Sequence, residues 1–282
     1  MANILALHND LKNKTYSHSP YHAFNISDPK PRNIHKASVR DRLLHHAIYK
    51  ILYPYFDRKF IHDSYSCRLG KGTHKAMERF KLFSRKVSKN NTRQCFVLKC
   101  DIKKFFASID HQTLLLTLGV NIEDKGTLWL LEQIIESFHA LPGKGLPLGN
   151  LTSQLLVNIY MNEFDQFVKH KLKVKYYIRY ADDFTMIYHS ELELRSVLPL
   201  VERFLLEELK LELHPDKVFI RTLSSGVDFL GWVHFPDHRV LRTVTKRRML
   251  KNLSNNPTPA TKTSYLGMLK WGNTHKLRRV IL

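Results

Sequence analysis

Hydrophobic and polar positions along the chain follow two periods, one helical and one of strands. Asp41–Tyr53 (DRLLHHAIYKILY) puts Leu43, Leu44, Ala47, Ile48, Ile51 and Leu52 at helical spacing, with Asp41 as the cap or in the opening turn. Pro54 predicts a break after it. A glycine-hinged loop, Gly70-Lys71-Gly72, leads into a helix from about Thr73. Cys95–Asp101 (CFVLKCD) has the pattern of a buried strand ending in an acid, and the chain turns helical near Ser108 or Asp110. A helix over Thr127–Ala140 precedes a loop with Pro142, Gly143, Gly145 and Pro147. Thr152 or Ser153 then caps a helix to about His170, carrying Leu155, Leu156, Ile159, Phe164 and Phe167 inward. Val174–Ile178 and Phe184–Tyr188 read as two strands, Leu192–Leu211 as an amphipathic helix, Leu213–Phe219 as a bend, and Val227–His234 as a strand or half of a hairpin. Residues 1–30 predict an extended lead-in with a short helix. No internal repeat or low-complexity segment interrupts this order.

Between the two central strands stands Tyr180-Ala181-Asp182-Asp183-Phe184. Adjacent carboxylates in a tight turn between apolar strands each need a partner or a metal. They read either as a divalent-cation site at a hairpin tip or as ordinary turn chemistry. Asp101, at the end of a core strand, is a third candidate, with an ion pair to a lysine as its structural alternative. Asp110 sits at a helix start and reads as structural.

Composition changes the picture through charge. Lys and Arg number 45 against 25 Asp and Glu, a net charge of +20 over 282 residues. This excess favours a polyanionic partner. The window from Asp28 to Asp41 holds Lys30, Arg32, Lys36 and Arg40 and no acid between its ends. The segment after Leu241 carries ten Lys or Arg and no acid, interleaved with Tyr265 and Trp271. No apolar run approaches a membrane span and the N-terminus lacks a signal-peptide pattern, so no membrane role is expected. Three cysteines without a CxxC pair predict reduced thiols in a cytoplasmic protein. The sixteen histidines show no zinc-ligand spacing. The Gly70 loop lacks the spacing of a nucleotide-hydrolysing phosphate loop. Carboxylates on separate rigid strands suit phosphoryl transfer with two divalent ions, which sit about 3.5–4 Å apart and clamp the attacking and leaving oxygens. Charge and constellation together point to template-directed nucleotidyl transfer.

The motifs LKCDIKKFF, LPLGNLTSQ, YADDF, LHPDKV and DFLGW occur in the order of the palm motifs of reverse transcriptases, which the chain resembles from about residue 28 onward. KPRNIHKASVRDRLLHHAIYKIL and SYSCRLGKGTHKA resemble their fingers motifs. Within that family, Leu148, Gly149, Ser153 and Gln154 are similar to the enzymes of diversity-generating retroelements, which read an aliphatic residue and then GxxxSQ where most reverse transcriptases read QGxxxSP. The HHA after DRLL and the terminal SYLGMLKWGNTHKL are similar to the same subgroup. Group II intron enzymes share YADDF but usually carry QG, SP and a longer thumb.

The resemblance implies an α+β right-hand polymerase: fingers over 1–94, a palm of antiparallel sheet with helices over 95–236 with an insertion near 119–147, and a short helical thumb over 237–282. It implies Asp101, Asp182 and Asp183 as catalytic metal ligands for two Mg2+ ions (Mn2+ as substitute), with the Ile102 backbone as a further ligand. Lys217 would protonate pyrophosphate. Lys30 and Arg32 would grip the triphosphate, and Phe106 would exclude a 2′-hydroxyl, unless it is merely a core aromatic. Leu148, Gly149 and Gln154 would line the nucleotide site, and Phe229-Leu230-Gly231-Trp232 would form the primer grip. An aliphatic Leu148 where a glutamine would direct hydrogen bonds implies error-prone copying at template adenines, against the alternative of a packing leucine. Template RNA, cDNA, deoxynucleoside triphosphates and a pentameric small basic helical accessory protein are the implied partners, in a bacterial or phage-encoded system. The competing readings are a group II intron-like or antiphage reverse transcriptase, or a catalytically silent RNA-binding protein.

Overall fold

The computed structural model describes residues 2–27 and 31–281, so Lys30 lies outside the described residues. A helix, α1 (Ala2–Lys12), is followed by an antiparallel hairpin that the sequence pattern did not reveal, β1 (His22–Ile26) and β2 (Arg32–Lys36). Both strands are largely exposed, so they lack the apolar alternation that announces a strand.

Helix α2 (Val39–Asp57) is capped by Ser38, whose hydroxyl accepts from the Asp41 N–H. Asp41 lies in its first turn and is buried, accepting from Tyr16 Oη at 2.9 Å, Ser38 Oγ at 2.7 Å and the Ser19 N–H at 3.1 Å. The expected break at Pro54 is corrected: the helix runs through it. Pro54 sits on the exposed face near the helix end, where water can take the carbonyl that loses its donor. Helix α3 (Thr73–Val87) starts as expected after Gly72.

The core is a four-stranded antiparallel sheet in the order β4-β5-β3-β6, built from β3 (Phe96–Asp101), β4 (Tyr177–Tyr180), β5 (Asp183–Tyr188) and β6 (Phe219–Thr222). Alternation assigns its two faces. Leu98, Cys100, Phe184, Met186 and Tyr177 join one apolar cluster. That cluster includes Leu114 of α5 (His111–Asn121), Phe164 of α7 (Leu151–Gln166) and Val201 of α8 (Glu191–Glu207). Val97, Ile187 and Ile178 point the other way, into a second cluster with Ala76, Phe80 and Phe83 of α3. Helix α3 covers only part of this second face. The rest carries Lys99, Asp101, Asp183 and Thr185, aligned by the pairs Lys99↔Thr185 and Asp101↔Asp183.

A short helix α4 (Phe105–Ser108) follows β3, and Asp110 caps α5 by accepting from the Thr113 N–H. Helix α6 spans Lys125–Ile135 rather than 127–140, because Asp124 caps it earlier. The cap of α7 is Asn150, not Thr152 or Ser153, which are buried in its first turn. The Asn150 side chain is committed elsewhere: its Nδ2 donates to the His35 carbonyl at 2.7 Å. The α7 helix closes in a wider turn, Phe167–Lys171.

Beyond β6, a three-stranded sheet comprises β7 (Val227–Phe229), β8 (Trp232–His234) and β9 (Arg239–Leu241). Three helices end the chain: α9 (Thr243–Asn255), α10 (Pro259–Leu269) and α11 (His275–Ile281). Cys67, Cys95 and Cys100 are free thiols, as expected. No helix among the described residues is long and apolar enough to cross a membrane.

Candidate active site

The β4–β5 hairpin turns on two residues, Ala181 and Asp182, and Ala181 adopts a left-handed φ of 56° that costs a non-glycine residue of order 1 kcal/mol. Arg179 holds this turn from the opposite face of the sheet. Its side chain has no exposure, and its Nε and Nη2 grip both oxygens of Asp165 at 2.7 and 2.6 Å. Nη2 also donates to Ser64 Oγ at 3.1 Å, and Nη1 to Asn158 Oδ1 at 3.4 Å and to the Ala181 carbonyl at 3.2 Å. Tyr177 Oη donates to Asp165 Oδ1 at 2.7 Å. The Ile102 N–H, just beyond β3, donates to the Asp182 carbonyl at 3.2 Å, so strand end and turn are stitched together.

Three carboxylates converge here. Asp101 and Asp183 face each other across β3 and β5, and Asp182 stands on the turn. Lys217, on the single turn Pro215–Lys217, donates to Asp101 Oδ1 at 2.7 Å. That turn is tied to the strand end, since the His214 N–H donates to the Asp101 carbonyl at 2.8 Å and the Lys103 N–H to the Glu212 carbonyl at 2.9 Å. This ladder leaves the Ile102 carbonyl out of its bonds. Lys99 is buried, with Nζ 3.2 Å from Asp183 Oδ1. The approach has ion-pair distance without hydrogen-bond direction, so Asp183 Oδ1 and the neighbouring Thr185 Oγ1 remain buried without a hydrogen-bond partner. Burial pushes the Asp183 carboxyl up to about 7, with Lys99 opposing and Asp182 and Asp101 adding. Burial, then the Asp101 charge, raises Asp182 as well.

This donor set fits a divalent cation. It offers hard carboxylate oxygens from separate rigid elements, and its three acids face only two lysines. Among the described residues no three acidic, histidine or cysteine side chains are close enough, as they stand, to grip an ion. Lys99 and Lys217 hold Asp183 and Asp101 in ion pairs that a cation would have to replace.

The other expected residues fall into two groups. Phe106 is half-buried on α4, edge-to-face with Phe105, and its carbonyl accepts from the Leu146 N–H at 2.8 Å. This links α4 to the segment holding Leu148 and Gly149. The Leu148 carbonyl accepts from the His35 N–H of β2 at 2.9 Å. Gly149 has φ +103°, and a Cβ there would stand 2.7 Å from Ile34 Cγ2, so only glycine fits without a shift. Gln154 lies in the first turn of α7. Arg32 is exposed on β2, the strand that meets this loop. Phe229–Trp232 forms a separate hairpin turn with Leu230 and Gly231 at φ 52° and 85°. Its Phe229 stacks on Phe80 of α3 at 5.3 Å, which seats the hairpin against that helix.

Sequence reasoning missed Lys99, Arg179 and Asp165. The signal existed, because a lysine in FVLKCD and an arginine in YYIRY are charges inside apolar strands, which demand partners.

The family described as "Reverse transcriptase (RNA-dependent DNA polymerase)" matches residues 25–234. The chain belongs to the reverse transcriptase family. It is 26% identical over 269 residues to Protein YkfC of Escherichia coli, covering 82% of this chain and 68% of that protein. It is 24% identical over 310 residues to the group II intron-encoded protein LtrA of Lactococcus lactis, covering 84% of this chain and 50% of LtrA. Telomerase from Candida albicans, solved in complex with a fragment of telomeric RNA, superposes with a TM-score of 0.57 at 13% identity, covering 81% of this chain and 46% of that one. These likenesses establish the right-hand polymerase fold with its fingers, palm and thumb. The chain spans about two thirds of YkfC and about half of LtrA.

Two outcomes follow for this reverse transcriptase. Arg179→Met, which strands Asp165 in the core, should lower stability by about 3–5 kcal/mol in denaturant titrations, and adding Asp165→Leu should recover much of it. Without metal, the raised Asp183 carboxyl contributes stability fully below its ordinary value of 3.8, and that contribution is lost as pH rises through about 7. A bound cation replaces the proton, so the Tm gain from Mg2+ should grow from pH 6 to pH 8 in thermal melts. An unchanged gain would remove the metal assignment from Asp183.

Proposed function

We propose that the chain is an RNA-directed DNA polymerase that copies a template RNA into cDNA by two-metal nucleotidyl transfer. The convergence of Asp101, Asp182 and Asp183 with Lys99 and Lys217 at one sheet end carries this reading. The three carboxylates would hold two Mg2+ ions, with the Ile102 carbonyl as an added ligand and Mn2+ as a substitute. When bound, these ions activate the primer 3′-hydroxyl and offset charge on the pyrophosphate leaving group. The chain's own residues do the rest. Lys99 keeps Asp183 compensated in a buried position, Lys217 is placed beside Asp101 to deliver a proton to pyrophosphate, and Arg179 keeps the turn rigid. Arg32, with Lys30, grips the triphosphate. Phe106 restricts the space a ribose 2′-hydroxyl would need, and Gly149 lets the backbone pass close to β2. Phe229–Trp232 guides the primer, with 1–94, 95–236 and 237–282 as fingers, palm and short thumb.

Within that activity, the chain acts in a diversity-generating retroelement of a bacterium or phage, in the cytoplasm, with a pentameric basic accessory protein. Leu148 and Gln154 support this subgroup. Leu148 is half-buried and presents no hydrogen-bonding side chain beside Gly149, so it gives contact without direction. A group II intron-like role is the second reading, favoured by the similarity to LtrA.

Primer extension on RNA with Mg2+ tests the chemistry. Asp182→Asn should cost about a hundredfold or more, the worth of several kcal/mol of charge stabilisation, and retained activity would refute the ligand assignment. Sequencing of cDNA made with and without the co-encoded basic protein tests the subgroup. Leu148→Gln should reduce misincorporation opposite template adenines, whereas faithful copying by the unaltered chain would favour the intron-like reading.

A further inference from the structure

Helix α5 carries apolar residues on two opposite faces, because two residues along a helix turn it by about 200°. Leu114 and Leu118 are buried in the core, whereas Leu116 and Val120, one turn apart, are 65% and 88% exposed. A soluble helix ordinarily gives its second face to polar residues. Leu116 and Val120 form a ridge between two grooves and line both. One groove, of about 730 Å³, lies against Pro142 and Gly143 of the α6–α7 connection. The other, of about 700 Å³, lies against Phe204 of α8 and Leu209 just beyond it. None of Asp101, Asp182, Asp183, Lys99 or Lys217 lines either groove. Gly119, on the wall of the first groove, adds an independent sign. Glycine inside a helix weakens it relative to alanine, and a Cβ here would meet nothing within 4 Å. The chain's own packing therefore does not call for a glycine, whereas the close approach of another backbone would.

Charge decides what would cover this ridge. The chain as a whole carries +20. Around the two grooves the sign reverses: Asp110, Glu136, Glu163, Glu207 and Glu208 face only Lys144 and Lys210, with histidines counted neutral. Lys210 spends its ammonium on the Glu207 carbonyl, at 2.6 Å, rather than on a carboxylate. None of the five acids stands in an ion pair among the described residues. A nucleic-acid backbone is repelled from such a face. An apolar ridge flanked by unpaired acids instead complements a helix with an apolar stripe and lysines or arginines along its margins.

We propose that the α5 ridge and its two grooves dock a basic amphipathic helix of a partner protein. The apolar stripe of that helix covers Leu116 and Val120, and Gly119 lets its backbone come close. Its cations reach Glu136 on one side and Glu163, Glu207 and Glu208 on the other. The surface serves in this way whether the polymerase belongs to a diversity-generating element or to an intron.

The test is fluorescence anisotropy of the full chain with a labelled synthetic helix of about five turns, leucines at helical spacing and lysines elsewhere. The unaltered chain should bind this peptide and not its counterpart with glutamates for lysines. Val120→Asp and Gly119→Leu should each weaken binding about tenfold or more, the first by charging the ridge and the second by filling the notch. The double variant Glu207→Lys with Glu208→Lys should weaken it comparably and flatten its salt dependence. Leu192→Asp changes a residue 77% exposed that lines neither groove, and should bind as the unaltered chain does. All four variants alter exposed positions and should keep the Tm of the unaltered chain. Equal affinities across the variants, equal binding of the glutamate peptide, or no binding by the unaltered chain overturns the proposal. A peptide of Thr243–Asn255 (the basic helix α9) that binds with the same sensitivities, together with dimerisation of the full chain that Val120→Asp abolishes, identifies a second copy as the occupant and overturns the partner assignment. Binding is read without RNA or Mg2+, so failure here is distinct from failure of the polymerase reading.

Discussion

Arg179 and Asp165 meet with no exposed surface on either side chain, and the end of the central sheet is arranged around that pair. A buried ion pair by itself is weak evidence of stability, because desolvation offsets much of the attraction. Here every strong hydrogen-bonding direction of the guanidinium is used, and one bond ends on the carbonyl of Ala181. The pair therefore works as a strut. It supports a left-handed residue from beneath while the adjacent Asp182 and Asp183 crowd together above. Like charges held this close would drive a freely jointed turn apart.

The sheet accordingly separates its tasks by face. One face is given to apolar packing against α5, α7 and α8, with Arg179 as its single sealed charge. The other begins as apolar under α3 and becomes ionic within two residues, from Val97 to Lys99 and Asp101. Lys99 matters because it lies on that boundary. It tempers the acids without neutralising all of them, which leaves Asp183 raised and one of its oxygens without a hydrogen bond.

The parts of this architecture legible in the sequence are those where a side-chain type has one physical use. Apolar spacing located the main helices and three of the four central strands, and the acids at 101, 182 and 183 stood out because carboxylates at strand ends need a reason. Boundaries slipped where several groups competed for one role. Asn150, Thr152 and Ser153 can all cap a helix, and only the tertiary contact to His35 shows how Asn150 is engaged. Pro54 reads as a break until its exposure is known. The β1–β2 hairpin was hidden because both of its strands lie open to solvent and carry no alternation. Arg179 was overlooked for the opposite reason, since its partner Asp165 lies on a helix that sequence order does not mark as a neighbour.

The two-residue connection at Ala181 and Asp182 has a consequence for how this protein can change over evolutionary time. Side chains alternate strictly between faces along β5, so the length of the connection, more than its composition, decides which residues point at the acids and which at the core. Drift in residue identity around the turn is survivable wherever size and charge are respected. A single inserted or deleted residue would instead exchange Thr185 for Met186 and Ile187 for Tyr188 across the whole strand, placing a hydroxyl in the apolar cluster and apolar side chains among the carboxylates. Lineages descending from this chain should therefore accumulate length changes in their loops elsewhere and almost none between Tyr180 and Asp183.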